Sequence, residues 1–338
     1  MRFLVVGLGS MGKRRIRNLR HLEAGEFVGF DPRVDRREEV ESRYGIETFD
    51  DIDRALDSGP DALVVSTPPD LHMPYARMAA GRSIPFFCEA SVVVDGMDEV
   101  IELSRERGVV AAPSCTMRYH PSTQKMKQLV DAGAIGPVAA MTYHCGQYLP
   151  DWHPWEDYRT FYVARRETGA CREIVPFELT WLTWLLGDVA TVACMKSKRT
   201  SLDVDIDDVY QLLLGFECGT LGHLLVDVVA RVPYRVLRLV GEEGVIEWDA
   251  SARAVRVYEA GTGKWAEHPE PAAIVEDGYV AAENMYIEEM RAFVAAVRGE
   301  QPYPYTLEQD RGVLEVLLRA EEHALDGTAV LGAASTGG

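Results

Sequence analysis

The sequence predicts an α/β chain that opens with a doubly wound parallel sheet and continues into a second, strand-rich domain. Three observations carry this. A short apolar strand, Arg2 to Val6, runs into Gly7, Gly9 and Gly12 in the spacing G-x-G-x-x-G, and a helix follows over Lys13 to Glu23. Short apolar segments then alternate with helix-forming ones as far as Pro113, the pattern of parallel strands with crossover helices. From Val189 to Glu259 the chain reads as successive strands with turn residues between them.

The glycine turn is built to hold a pyrophosphate. Gly7, Gly9, Ser10, Met11 and Gly12 place backbone N–H groups at a helix N-terminus, where the positive end of the helix faces the ligand. The next strand, Glu26 to Phe30, ends at Asp31. A carboxylate about 20 residues beyond the turn accepts the ribose 2′-hydroxyl of NAD and repels a 2′-phosphate. Arg33, Arg36 and Arg37 follow closely, so NADP stays open as the lesser alternative. The plainer reading of Asp31 is a strand-ending turn residue.

Helices are expected over Arg36 to Tyr44 and Ile52 to Ser58. Ala62 to Ser66 is a continuous apolar strand that runs into Thr67-Pro68-Pro69-Asp70-Leu71-His72. The prolines hold the chain extended at the carboxyl end of the strand, where open α/β sheets bind ligands. A helix over Met73 to Ala80, a strand over Ile84 to Cys88, a helix over Met97 to Arg107 and a strand over Val109 to Pro113 complete the sheet.

The bulk numbers limit the partners. The 338 residues are 47% hydrophobic and 26% charged, ordinary for a globular chain of about two domains. A net charge of -18 repels phosphate backbones, so neither nucleic acid nor an anionic membrane is expected. No apolar run approaches the roughly 18 residues of a membrane span. The first residues enter a strand directly, which predicts no signal peptide and a cytoplasmic location. Six scattered cysteines form no C-x-x-C pair, which fits reduced thiols and predicts no metal site.

Gly7-Leu-Gly-Ser-Met-Gly12, Asp31, Ser66-Thr-Pro-Pro-Asp-Leu-His72, Cys88-Glu89 and Arg118-Tyr-His-Pro121 together resemble the Gfo/Idh/MocA family of NAD(P)-dependent oxidoreductases, which act mostly on sugars and inositols. The resemblance covers most of the chain. It implies a Rossmann NAD(P)-binding domain over residues 1–121. A substrate-binding and oligomerisation domain with a large, open, mostly antiparallel sheet then spans 122–338. It also implies that Ser66, Thr67, Pro68 and His72 line the nicotinamide nucleotide and that Glu89 and Ala90 sit beside its ribose. The chain departs from the family at Glu89-Ala90-Ser91, where the family usually has Glu-Lys-Pro. Alanine can neither stabilise an alkoxide nor relay a proton.

In the second half, Ser122 to Ala132 reads as a helix and Val138 to Tyr148 as an alternating strand that places His144 on one sheet face. Tyr148 to Arg159 is dense in aromatics, including Trp152 and Tyr158, and suits stacking on a sugar ring; a loop packed on a partner subunit is the other reading. Arg159, Arg165, Arg166 and Arg172 either recognise an anionic substrate or form salt bridges to Glu156, Asp157 and Glu167. Gly169 to Gly187 is a long helix interrupted by Pro176. The family usually carries an acid and, four residues later, a histidine on this helix; here these positions are Glu173 and Phe177. The strands from Val189 to Glu259 suggest an antiparallel meander, with a hairpin turn at Gly241-Glu-Glu-Gly244. Helices follow over Asn284 to Arg298 and Thr306 to Ala324, then a frayed tail over Gly332 to Gly338.

Taken together these features predict hydride transfer between NAD and a sugar, amino-sugar or cyclitol derivative, anionic ones included, by an atypical acid/base set. Glu173, Glu178, His153 and Tyr148 are the candidates for that chemistry. Arg118, Tyr119, Trp152, Tyr158, Arg165, Arg166, Arg172 and Phe177 are the candidates for substrate contact. Reduction of an imine or activated double bond, and cofactor and ligand binding without turnover, are the alternatives. Apolar residues on both faces of the second sheet predict a homodimer or homotetramer formed through it.

Overall fold

The computed structural model describes residues 1–152, 156–273 and 282–326. The tail over 332–338 and His153 lie outside the described residues. The chain divides into two compact units. One takes Met1–Gln128, Pro176–Leu185 and the described residues of Pro269–Glu315; the other takes Leu129–Val175, Leu186–His268 and the described residues from Val316 onward.

The first unit opens with β1 (Arg2–Val6), α1 (Ser10–His21), β2 (Glu26–Phe30), α2 (Val34–Tyr44), β3 (Glu47–Phe49) and α3 (Ile52–Asp57). It continues with β4 (Ala62–Val65), α4 (His72–Gly81), β5 (Phe86–Cys88), α5 (Met97–Arg107) and β6 (Ala111–Pro113). The six strands pair in parallel in the order β3-β2-β1-β4-β5-β6. The doubly wound prediction is met. Phe3 and Val5 pack with Ile16 and Leu19 on one side, and Leu4 and Val6 with Ala76 and Ala80 on the other. A strand covered on both faces must be apolar throughout, which is why the sequence shows it so plainly. β3 carries no such signal, because its residues are only part-buried or exposed.

Next come α6 (Pro121–Asp131), β7 (Val138–Tyr148), α7 (Ala170–Leu186), β8 (Val189–Ser197), β9 (Val209–Phe216), β10 (Leu221–Asp227) and β11 (Val229–Gly241). They are followed by β12 (Gly244–Asp249), β13 (Ala254–Glu259), β14 (Lys264–Pro269), α8 (Asn284–Val297), α9 (Leu307–Glu322) and β15 (Leu325–Asp326). Met290 and Phe293 of α8 enter the core of the first unit. α7 runs through Pro176 and stops at Gly187, whose φ of +89° suits only glycine.

The second sheet has the order β14-β13-β12-β11-β7-β10-β9-β8-β15. This corrects the expected meander: β7 lies between β10 and β11, parallel to the first and antiparallel to the second. Where the chain leaves β10 for β11, Asp227 accepts the N–H groups of Val229 and Ala230 at 3.1 and 2.8 Å, and β11 pairs on the far side of β7. Strand periodicity carries no record of such a jump. The hairpin at residues 241–244 is present, with Val240 opposite Val245.

Met141, Tyr143 and Cys145 face the buried side of this sheet, as the alternation predicts. On the opposite side Leu213 and Leu221 are 62% and 69% exposed, with Val236 and Val240 also open. No helix among the described residues is long and apolar enough to cross a membrane.

Candidate functional site

The order of the parallel sheet reverses at β1 and β4, and their carboxyl ends form the ligand edge of such a sheet. The glycine turn lies there. Gly7 N donates to Phe30 O at 2.8 Å. Its φ is +90°, and a Cβ would lie 2.6 Å from Ser66 O. A Cβ on Gly12 would lie 1.9 Å from Gly7 O, so α1 can meet the turn this closely only without a side chain. On Gly9 the nearest atom to a Cβ would be the Arg36 guanidinium at 3.5 Å. No side chain caps the start of α1. Its first-turn N–H groups, from Ser10 through Gly12, therefore point at the space a pyrophosphate would take.

Asp31 is buried beside this turn. Its Oδ2 accepts Leu8 N and its Oδ1 accepts Arg33 N, both at 2.9 Å. The Arg33 side chain turns instead to Asp35 at 2.6 Å, and Arg37 donates to Asp31 O at 2.8 Å. The Arg36 guanidinium lies 3.5 Å from the Asp31 carboxylate.

At the end of β4, His72 Nε2 bonds Thr67 O at 2.9 Å. Burial pushes the imidazole down, against the pull of that carbonyl. His72 Nδ1 and Thr67 Oγ1 are buried without a hydrogen-bond partner among the described residues. Pro68 holds the extended turn between them. Ser66 Oγ donates to Glu89 Oε1 at 3.2 Å, and Arg15 clasps both oxygens of Glu89. Ala90 follows and offers no polar group. A dinucleotide fits this edge: Gly7 and Gly12 leave no room for a Cβ, and the orphaned polar groups of Thr67 and His72 line it.

Arg118 does not reach outward. It is 8% exposed, donates from Nε to Thr180 O at 2.9 Å, and stacks 4.3 Å from the Tyr305 ring. Tyr119 is part-buried with its hydroxyl enclosed, and burial pushes the phenol up. Glu178 is fully buried and accepts Trp181 Nε1 at 2.7 Å, which makes it a core acid.

In the second unit the arginines of the cluster find acids. Arg159 pairs with Asp157 and Asp203, Arg166 with Asp205, and Arg172 with Glu321 at 2.9 Å. Arg159 holds Asp157 down at about 2. Of the partners expected from the sequence, Asp157 takes part by its side chain, and Arg172 also donates to Glu167 O. Arg165 is exposed. The Tyr148 ring lies 3.7 Å under the Arg231 guanidinium. Tyr158 accepts Asp203 N at 3.3 Å. Trp152 is part-buried, with an unpartnered Nε1 among the described residues.

On α7, Glu173 Oε1 accepts the Tyr162 hydroxyl at 3.1 Å, and Oε2 is buried with no partner among the described residues. Burial raises this carboxyl to about 7, against the lowering pull of Tyr162. That value suits proton transfer at neutral pH. Tyr162 escaped the sequence reading because a lone tyrosine in an irregular loop carries no signal. Phe177, part-exposed, lies one turn further along the same helix.

Two family models match the chain. Residues 1–114 match the oxidoreductase family with an NAD-binding Rossmann fold, and 123–247 match the GFO/IDH/MocA C-terminal domain. Inositol 2-dehydrogenase 3 of Saccharopolyspora erythraea is 26% identical over 305 residues, covering 87% of this chain and 84% of that one. UDP-N-acetylglucosamine 3-dehydrogenase of Acidithiobacillus ferrooxidans is 24% identical, covering 78% of each. An oxidoreductase from Agrobacterium radiobacter, solved with NAD+, L-tartaric acid and magnesium, has a TM-score of 0.84 at 15% identity over 96% of each chain. Levoglucosan dehydrogenase with NADH and levoglucosan has a TM-score of 0.82 at 17% identity over 96% of each. These structures share the fold.

Proposed function

The chain belongs to the Gfo/Idh/MocA family of NAD-binding oxidoreductases, and from that premise we propose that it oxidises or reduces a ring carbinol of a sugar, amino-sugar or cyclitol. The single observation that carries this is the cradle at the carboxyl ends of β1 and β4, with Asp31 set beside it. Curated relatives named as inositol and UDP-N-acetylglucosamine dehydrogenases support the substrate class. The ion pairs of Arg159, Arg166 and Arg172 favour a neutral polyol over an anionic one, because an anion would have to displace acids already bound there.

When bound, NAD supplies the hydride acceptor. The residues of the chain do the rest. The first-turn N–H groups of α1 hold the pyrophosphate and Asp31 the adenine ribose. Thr67, His72 and Glu89 hold the nicotinamide half. Glu173 is the proposed acid/base: in the oxidative direction it takes the hydroxyl proton, its Oε2 being buried with no hydrogen-bond partner among the described residues, while Tyr162 steadies Oε1. In the reductive direction Glu173 returns that proton. Residues 1–121 act as the cofactor domain. The open face of the second sheet, with Leu213, Leu221, Val236 and Val240 exposed, joins copies of the chain into a homo-oligomer.

The test is direct. Purified protein with NAD and a panel of inositols, hexoses and sugar acids is followed by absorbance near 340 nm. Turnover of a neutral polyol is expected. Cofactor binding with no turnover on any of the panel would favour a ligand-binding role, the reading that Ala90 and Phe177 leave open.

A further inference from the structure

Arg15 lies on the second turn of α1 and is 0% exposed. Its Nε and Nη2 donate to the two oxygens of Glu89 at 2.7 and 2.8 Å. Its Nη1 lies 2.8 Å from Glu289 Oε2 on α8, an ion pair set off the line of a hydrogen bond. One guanidinium thus serves two carboxylates. Its remaining surroundings are aromatic: Phe87 at 4.5 Å and Tyr286 at 5.3 Å from the ring centroids. Burial works against its charge, but the two carboxylates outweigh it and hold Arg15 charged.

Glu289 is itself fully buried and takes Ser114 Oγ, Cys115 N and Thr116 Oγ1 at 3.0, 2.6 and 2.7 Å. Arg15 therefore links the chain just after β5 to the chain just after β6. Of the three charged groups only Glu89 keeps access to the surface, with 13% of its side chain exposed. A buried charge network costs desolvation that apolar packing would avoid, so its place at the ligand edge calls for a reason. Neighbouring Arg14 cannot substitute, being held by Glu283 at 2.9 Å.

We propose that Arg15 is a positioning residue: it fixes the Glu89 carboxylate against the nicotinamide half of the dinucleotide and anchors it through Glu289 to α8. The inference rests on the reading of this edge as the NAD site. A planar fork can hold both oxygens of Glu89 and still reach Glu289; an ammonium cannot.

Equilibrium binding tests it without any substrate. NADH is titrated by its fluorescence, and ADP, which lacks the nicotinamide half, by calorimetry. Arg15→Met alone leaves two uncompensated carboxylates and threatens the fold, so the variants are Arg15→Lys and the double variant Arg15→Met with Glu289→Gln. The expected result is an NADH Kd raised about tenfold to a hundredfold in both, with the ADP Kd within about twofold of the parent. An unchanged NADH Kd overturns the proposal alone. Equal weakening of NADH and ADP overturns it as well, leaving Arg15 as a support of the whole cradle. If the parent protein binds neither ligand, the NAD reading falls and takes the proposal with it.

Discussion

The Tyr162 hydroxyl donates to Glu173 Oε1 over 3.1 Å while Oε2 of the same carboxyl is buried and unpartnered among the described residues. With burial raising it to about 7, this carboxyl carries a proton on the acid side and accepts one on the alkaline side. Oxidation of a hydroxyl should therefore rise with pH through about 7. Glu173→Gln should erase that limb and lower kcat by about 10²–10⁴-fold. Tyr162→Phe removes a bond that favours the carboxylate, so the limb should move to higher pH. A pH–rate profile in which the limb survives Glu173→Gln would show that another group transfers the proton.

Asp31 is oriented by two backbone N–H groups, and on the proposed reading its charge favours NAD over NADP. Asp31→Ala should weaken NAD by on the order of tenfold to a hundredfold, the loss of a charged hydrogen bond, and NADP much less. Equal losses in titrations of the two cofactors would remove the ribose role.

Gly12 leaves 1.9 Å between a notional Cβ and Gly7 O. Gly12→Ala should abolish NADH binding and lower the melting temperature, because backbone must move to make room. Gly45 has nothing within 4 Å of a notional Cβ and a φ of +62°. Gly45→Ala should lower stability by about 1 kcal/mol from backbone strain and leave binding intact. Thermal melts with and without NADH separate the two.

Asp310 is buried, bonded by the Tyr305 hydroxyl at 3.0 Å, and pushed up by burial to about 6 from 3.8, with Tyr305 and Arg118 pulling the other way. The folded state holds this proton more tightly than the unfolded one. Its contribution to stability is therefore full below about pH 4 and lost as pH rises through about 6, by up to about 3 kcal/mol. The difference in melting temperature between Asp310→Asn and the parent should grow in favour of the variant from pH 4 to pH 7. A difference independent of pH would contradict the buried, protonated carboxyl.

Leu213 and Leu221 stand on neighbouring strands of the open sheet face, 62% and 69% exposed. Leu213→Glu with Leu221→Glu should shift the protein to a smaller species in size-exclusion chromatography with light scattering. An unchanged mass would exclude this face as the contact between copies.

Much of the first unit was legible because its signals are local. A strand buried on both faces must be apolar, and a turn tight against a helix must be glycine, so β1, β4 and Gly7 through Gly12 announce themselves. The proposed site was legible in part. Asp31 is marked by its distance from the turn, and Glu173 by the family resemblance along its helix. Neither Tyr162 nor Arg15 could be found that way: Tyr162 meets Glu173 from an irregular loop, and Arg15 meets Glu89 across 74 residues of chain.

By itself the sequence determined the doubly wound sheet, the dinucleotide cradle and the alternation that leaves one face of β7 open; Ala90 and Phe177 stand where the family resemblance implies a lysine and a histidine. Only the tertiary structure decided the strand order of the second sheet, the inward turn of Arg118, the core role of Glu178, and the pairing of Arg159, Arg166 and Arg172 with acids. The physical reason is one of range. Periodicity and backbone conformation are written within a few residues, whereas hydrogen-bond partners, desolvation and the charge a side chain meets are set by segments that folding alone brings together.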